Sequence, residues 1–176
     1  AMERPYVICH ILSSLNGKIA GPFMGTEANG TVAGEYGRLR REMKGDAWLY
    51  GTVTTKEFVG TKKPDYSDIS SVPEGDYVAA DQAELYYVSL DTAGEIPWES
   101  GTYSAKGRPD APVIEILTAS TPKGYRDYLR SRTVSYILAR KKALYCRVAA
   151  ENRRPLFGPR TLFIWSAEEL TPPLLQ

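Results

Sequence analysis

Six short runs of β-branched and aromatic residues, separated by polar or helix-forming segments, constrain the fold of this chain most strongly. Each run has the length of a buried strand and is largely apolar, as strands covered on both faces are. Because strands alternate with helices, the pattern predicts one α/β domain, in which helices flank a mostly parallel central sheet in three layers. The six runs are residues 6–12, 47–50, 85–89, 112–117, 134–138 and 161–164.

Three helices are expected between these strands. The longest, residues 32–44, has its basic residues in its later half, where positive charge stabilises a helix C-terminus. Gly45 follows it at the position of a left-handed cap. Shorter helices are expected to begin at Thr55 and to cover residues 124–131, and the polar residues 60–82 are expected to form a long loop.

Composition and charge exclude several classes of protein. The chain of 176 residues has the length of one domain, and its net charge of +1 predicts no general attraction to nucleic acid or to an anionic membrane. No apolar run approaches the ~20 residues that cross a bilayer, and no secretory signal is recognisable. The two cysteines, Cys9 and Cys146, lack metal-ligand spacing. These features predict a cytoplasmic protein without a metal site.

The junction between the second strand and the helix after it has suitable chemistry for a phosphate. Gly51 allows a close backbone approach, the hydroxyls of Thr52 and Thr54 can donate, and a helix N-terminus presents backbone N–H groups. Ligands of open α/β sheets bind at such junctions. The alternative interpretation of Gly-Thr-x-Thr before a helix is a simple capping turn.

Several segments together resemble the reductase domain of riboflavin biosynthesis, a branch of the dihydrofolate reductase-like superfamily. Residues 14–20 read Ser-Leu-Asn-Gly-Lys-Ile-Ala, where that family usually has Ser-Leu-Asp-Gly-Lys-Ile. The Gly-Thr-Val-Thr sequence at residues 51–54 continues the pattern, and residues 87–91 and 113–118 resemble the middle of single-domain members. The resemblance extends from about residue 4 to residue 139.

The resemblance implies a dihydrofolate reductase-like fold that binds NADPH. It places the first loop over the nicotinamide, with Ala20 at the cofactor and Asn16 at the substrate. It also places the pyrophosphate at residues 51–54, and Ser89 and Leu90 near the adenosine end. Many relatives have Arg where this chain has Thr52, so the choice between NADPH and NADH stays open.

Two further residues are candidates for the substrate pocket. Counted back from Gly51, Glu35 falls where folate reductases place the carboxylate that anchors and helps to protonate the pterin. A carboxylate buried beside a heterocycle would have a raised pKa and could relay a proton. The alternative is an acidic residue in the first turn that complements the helix dipole. His10, the only histidine, is either a pocket residue or a packed strand residue.

The resulting functional prediction is an NADPH-dependent reductase that transfers hydride to a heterocycle related to 5-amino-6-(5-phosphoribosylamino)uracil. Dihydrofolate reduction is the nearest alternative, and a nucleotide-binding protein without turnover is another. By analogy with the family, the chain is expected to form a homodimer and to act on a small-molecule substrate.

The resemblance weakens beyond about residue 140. Trp165-Ser166-Ala167 stands where the family has a Gly-Gly-Gly turn whose N–H groups approach the cofactor phosphates. Residues 140–160 hold seven basic residues and one acid. This part of the single domain, residues 1–176, is therefore atypical or truncated: either the cofactor loop has been lost, or these residues are not the true sequence. The second explanation is favoured, although a solvated basic helix face would also account for the charge.

Overall fold

The computed structural model describes residues 6–139 and 162–166, which form seven strands, three α-helices and one 3-10 turn. None of the described helices combines the length and the apolar character of a membrane span. The strands are β1 (Tyr6–His10), β2 (Ala47–Tyr50), β3 (Tyr86–Leu90), β4 (Thr102–Tyr103), β5 (Ala111–Thr118), β6 (Ser135–Ala139) and β7 (Leu162–Ser166). The helices are α1 (Glu27–Glu42), α2 (Thr52–Val59) and α3 (Lys123–Ser131), and the 3-10 turn is Pro22–Gly25.

The strands form one sheet in which β1, β7, β2, β3, β5 and β6 lie side by side and parallel, in that order. The two-residue β4 pairs antiparallel with the beginning of β5. The predicted mostly parallel central sheet with helices is thus confirmed. The last strand in sequence, β7, lies between β1 and β2, so the sheet is completed by a pairing of residues far apart in the chain.

The two faces of the sheet differ in composition. One face carries a cluster rich in aromatic residues, including Trp48, Tyr87 and Trp98, and residues of α3 and the end of α2 pack on it. The other face carries a smaller, mainly aliphatic cluster that includes Val88 and Ile116. No described helix contributes to this second cluster, so the described residues show the sheet and one helical layer.

The boundaries of α1 differ from those expected. The helix begins at Glu27, five residues before the predicted start, because the Thr26 side chain caps it by accepting a hydrogen bond from the Asn29 N–H at 3.2 Å. The left-handed position after the helix is occupied by Lys44, with a φ of 47°, and not by Gly45 as predicted. The expectation for Gly45 is wrong, since the helix ends at Glu42, two residues earlier than the sequence suggested.

Part of the predicted long loop protects the edge of the sheet at β6. Tyr77 forms an antiparallel bridge with Tyr136, with N–H···O distances of 2.9 and 2.8 Å. The Asp76 carboxylate accepts a hydrogen bond from the Leu138 N–H at 2.9 Å. On this outer edge of β6, the N–H and C=O of Tyr136 and the N–H of Leu138 are therefore bonded within the chain.

Candidate functional site

Parallel pairing brings the carboxyl ends of β1, β7, β2 and β3 to one edge of the sheet. In the register of these strands His10 is opposite Ser166, and Tyr50 is opposite Ser89. The loops that follow the strands leave from this edge, which is where open α/β sheets bind ligands. The candidate site lies here, between the sheet, α1 and α2.

The junction predicted to bind phosphate is at this edge. Gly51 is the extended residue that precedes α2, and the first helical hydrogen bond runs from the Thr55 N–H to the Gly51 carbonyl at 3.0 Å. The N–H groups of Thr52 and Val53 come before that first bond, and the first N–H groups of a helix have no partner within the helix itself. The Thr52 hydroxyl donates to the Leu90 carbonyl at 2.6 Å, which ties α2 to the end of β3. Thr52 can therefore serve an anion through its N–H, while its hydroxyl holds the junction in place.

A pocket of about 270 Å³ opens beside this junction. One stripe of α1, spaced i, i+3, i+4 and i+7, and a second stripe of α2, spaced i, i+3 and i+4, line it from two sides. The α1 stripe is Ala33, Tyr36, Gly37 and Arg40, and the α2 stripe is Thr54, Glu57 and Phe58. Leu12, Ile19, Met24, Tyr50 and Arg108 complete the lining. Thr54 belongs both to the junction and to the pocket.

Two arginines from different parts of the chain reach this pocket. The Arg40 guanidinium, from α1, lies 5.0 Å from the centroid of the Trp48 ring, and that of Arg108, from the β4–β5 turn, lies 5.8 Å from it. Arg108 also lies 5.0 Å from the Phe58 ring. The Nε of Arg40 and one Nη of Arg108 are buried without a hydrogen-bond partner in the described part of the chain. Sequence reasoning did not identify either residue.

His10 is part of the wall behind the pocket. Its imidazole stacks on the Tyr36 ring with the centroids 4.0 Å apart and the planes 5° from parallel, and the Tyr36 hydroxyl donates to the His10 carbonyl at 3.1 Å. Burial and the nearby Arg40 charge lower the pKa of His10. His10 therefore positions the pocket residue Tyr36 and does not line the pocket itself.

The structure contradicts the expected burial of Glu35. Its carboxylate is exposed on α1 and forms an ion pair with Arg38, which also pairs with Glu42. The hydrogen bond from Arg38 lowers the pKa of Glu35, where a raised pKa was predicted. The reason is helical geometry, because Glu35 is one residue, or about 100° of rotation, from the pocket-lining Tyr36.

Glu57 is the carboxylate that lines the pocket. It lies on α2, three residues after Thr54, so the two side chains share one face of the helix. The sequence contained this signal, since a helix predicted to begin near the phosphate junction must present every third and fourth residue to the same side. Sequence reasoning missed it by assigning the acidic role to the preceding helix.

The first loop is held by its own hydrogen bonds. The Ser14 hydroxyl donates to the Asn16 side-chain oxygen at 2.6 Å, and the Lys18 N–H donates to the Ser14 hydroxyl oxygen at 3.1 Å. Asn16 and Ala20 are both exposed and neither lines the pocket, whereas Ile19 does. In this conformation the loop reaches the site through Ile19.

Ser89 and Leu90 lie at the predicted edge, but their side chains point into the protein. Ser89 is fully buried and its hydroxyl donates to the Thr55 hydroxyl oxygen at 3.2 Å. Leu90 belongs to the aliphatic cluster on the other face of the sheet. A ligand at this edge could therefore contact these two residues through their backbone and not through their buried side chains.

Two carboxyl groups, those of Asp91 and Glu115, are buried away from the pocket. Asp91 accepts hydrogen bonds from the N–H groups of Gly94, Glu95 and Ile96 at 2.7–2.9 Å, and so fixes the turn after β3. Glu115 is fully buried in β5 and accepts a hydrogen bond from the Trp98 indole. Burial, followed by the charge of Asp91, raises the pKa of Glu115 well above its usual value. Burial within the aromatic core therefore favours the neutral form of Glu115.

The departure at residues 165–167 also falls at the ligand edge. Trp165 and Ser166 are the last two residues of β7, between β1 and β2, and Ala167 lies outside the described residues.

Within the described residues no group of three or more His, Cys, Asp or Glu side chains could hold a metal ion. No protein-family model matches this chain, and no curated protein matches it significantly.

Proposed function

We propose that this chain is an NADPH-dependent reductase of the riboflavin-pathway type, with a dihydrofolate reductase-like fold. The observation that carries the proposal is that the Gly51 junction lies beside a pocket, which Tyr50 before it and Thr54 after it both line. A dinucleotide anchored by its pyrophosphate at the junction could then extend its nicotinamide towards a substrate in the pocket. The cofactor supplies the hydride, and the protein supplies orientation and electrostatics.

The pocket has groups suited to a polar heterocycle. Tyr36 and Tyr50 offer aromatic surface, and Glu57 offers a carboxylate that could hold a ring nitrogen or relay a proton. In this proposal Glu57 takes the role that the sequence assigned to Glu35, because Glu57 alone of the two reaches the pocket. The substrate is a heterocycle related to 5-amino-6-(5-phosphoribosylamino)uracil.

The first test is a fluorescence titration of NADPH against the wild type and Thr54→Val. The substitution keeps the shape of the side chain and removes a hydroxyl that can donate to a phosphate oxygen. Losing a hydrogen bond to a charged group costs about 1.5–3 kcal/mol, so the affinity should fall about ten- to a hundredfold. Thr61→Val is the matched control, since Thr61 is exposed and lies beyond the end of α2 at Val59.

Equal NADPH affinity of the wild type and Thr54→Val would reduce the junction to a capping turn. Failure of the wild type to bind NADPH would end the reductase proposal. Parallel titrations with NADH measure which of the two cofactors this chain prefers, a choice that Thr52 leaves open.

A nucleotide-binding protein without turnover is the second candidate. It is favoured by Trp165 and Ser166, which occupy the end of β7 where a glycine turn would allow a close approach to phosphate. The two candidates differ in oxidation of NADPH, followed by the loss of its absorbance. NADPH that binds but is not consumed with the ribosylaminouracil or with dihydrofolate would favour the second candidate, and consumption with dihydrofolate alone would identify that substrate.

The proposal includes assembly as a homodimer. In the described part of the chain β1 pairs only with β7, and Tyr6 and Val7 on this edge strand are exposed. An open strand edge with exposed apolar side chains is suited to pairing with a second copy. Light scattering should therefore give about twice the mass of the 19.5 kDa chain, and a monomer at micromolar concentration would contradict the assembly.

A further inference from the structure

We infer that the pocket binds an oxyanion between Arg40 and Arg108, and that this anion fastens helix α1 to the rest of the domain. The inference deepens the proposed function and rests on it in one respect, namely that the pocket is the substrate site. The anionic group is a phosphoryl or carboxylate group of the ligand. Its two arginine partners come from α1 and from the β4–β5 turn.

The charge of the pocket is the first observation behind this inference. Arg40 and Arg108 both lie near the Trp48 ring, and Glu57 is the single acidic residue among the described residues that line the pocket. Two guanidinium groups that converge on one partly enclosed pocket repel each other more strongly than they would in water. A bound oxyanion would offset this repulsion and accept hydrogen bonds from both.

Unused hydrogen-bonding capacity is the second observation. The Nε of Arg40 and one Nη of Arg108 are buried and have no partner in the described part of the chain. Buried polar atoms in native proteins are normally hydrogen-bonded. Because both arginines also line the pocket, an anion with several acceptor oxygens could accept hydrogen bonds from their guanidinium groups, whereas an apolar substrate ring could accept none.

The third observation explains why α1 would be the element that responds. None of its sixteen residues is buried, although it carries a regular stripe of residues along the pocket. Helix α1 therefore lies against the pocket, whereas α3 packs against the protein core. A ligand that bridges Arg40 and Arg108 would supply the contacts that α1 lacks, so opening of α1 would require the anion to leave.

Amide hydrogen exchange of the intact chain, titrated with inorganic phosphate at constant ionic strength, tests the inference. If the opening of α1 destroys the site, exchange in α1 should slow by a factor of 1 + [phosphate]/Kd, or about tenfold at ten times Kd. Exchange in α3 should not change. Arg40→Gln and Arg108→Gln should each abolish the effect, and Arg40→Lys should retain part of it because the charge remains.

Arg38→Gln is the matched control on the same helix, since Arg38 is exposed and paired with Glu35 and Glu42. It should leave the phosphate effect intact. A parallel titration with acetate distinguishes the two sources of the anion: protection by phosphate alone indicates a phosphoryl group, and protection by both includes carboxylates.

Unchanged exchange in α1 with both anions, equal slowing in α3, or an effect that survives in either glutamine variant would overturn the inference. Binding of NADPH to the same variants keeps it separate from the proposed function. Normal NADPH affinity without anion protection would remove the bridging anion and leave the reductase proposal standing. Slower exchange in α1 with phosphate, together with no binding of NADPH, would support the bridging anion and end the reductase proposal.

Discussion

Helices α1 and α3 each lead into a strand of the parallel sheet, yet α3 buries five of its nine residues and α1 buries none of its sixteen. The difference lies in what each helix faces. Helix α3 packs Tyr125 and Leu129 into the aromatic cluster, whereas the inner stripe of α1 lines the pocket. The low burial of α1 thus goes with its position beside a pocket, and the high burial of α3 with its position against the aromatic core.

The sharpest test of this comparison is the same substitution made in both helices. Leu129 is fully buried in α3, while Leu39 in α1 is 40% exposed. Leu129→Ala should lower the free energy of unfolding by about 2–5 kcal/mol, because it leaves a cavity in the core. Leu39→Ala should change it by no more than about 0.5 kcal/mol. Urea denaturation measures both, and similar losses would show that α1 is packed as firmly as α3.

The buried carboxyl of the core gives the next largest effect. Because the pKa of Glu115 is raised in the folded protein, the folded chain holds a proton that the unfolded chain releases above its ordinary pKa. Stability should therefore fall as the pH rises, by at most about 1.4 kcal/mol per pH unit. Glu115→Gln keeps an acceptor for the Trp98 indole and does not titrate, so its advantage should grow by up to about 2–3 kcal/mol from pH 5 to pH 7.

Urea denaturation at the two pH values measures this difference. Glu95→Gln serves as the control, since that residue lies in the turn fixed by Asp91 and not in the core. Parallel pH profiles of the wild type and Glu115→Gln would show that Glu115 is ionised in the folded protein, against the conclusion drawn from its burial.

A smaller and more local effect is expected at the start of α1. Thr26→Ala removes the side chain that accepts a hydrogen bond from the Asn29 N–H, at a cost of about 0.5–2 kcal/mol. Since α1 buries nothing, the loss should appear as faster amide exchange within α1 and not in α3. Thr31→Ala, an exposed substitution inside the same helix, is the control. Faster exchange in both helices would mean that α1 and α3 open together.

The smallest effect is predicted for Glu35→Gln. The Glu35 carboxylate is exposed, and Arg38 retains Glu42 as a partner after the substitution. Neither NADPH affinity nor the midpoint of urea denaturation should change measurably. If the proposed activity is found and Glu35→Gln abolishes it while Glu57→Gln does not, the proton role returns to Glu35.

Most strands of the sheet could be predicted from the sequence, because the local pattern of apolar residues determines where a strand forms. The runs around Ala47, Tyr86 and Val113 are short and apolar, and each becomes a parallel strand near its expected position. The two-residue β4 could not be predicted, since Thr102 and Tyr103 pair only with the beginning of β5. The position of β7 between β1 and β2 depends likewise on pairing between distant segments.

Of the residues that the sequence suggested for the site, Thr54 alone lines the pocket. The Gly51 junction was identified because glycine, threonine and a helix start follow one another in the sequence. Arg108 was missed because it reaches the pocket from a turn more than fifty residues later. Glu35 was expected in the pocket but lies on the exposed side of α1, because position along a helix must be known to a single residue to assign its face.

The bridge between Tyr77 and Tyr136 has a consequence for the geometry of assembly. It closes one end of the sheet, while β1 leaves the other end open in the described part of the chain. A sheet with two open ends could add copies without limit and grow into a fibre. With one open end, joining two copies through their β1 strands uses up the free edge on both, so that growth by sheet extension terminates at a closed pair.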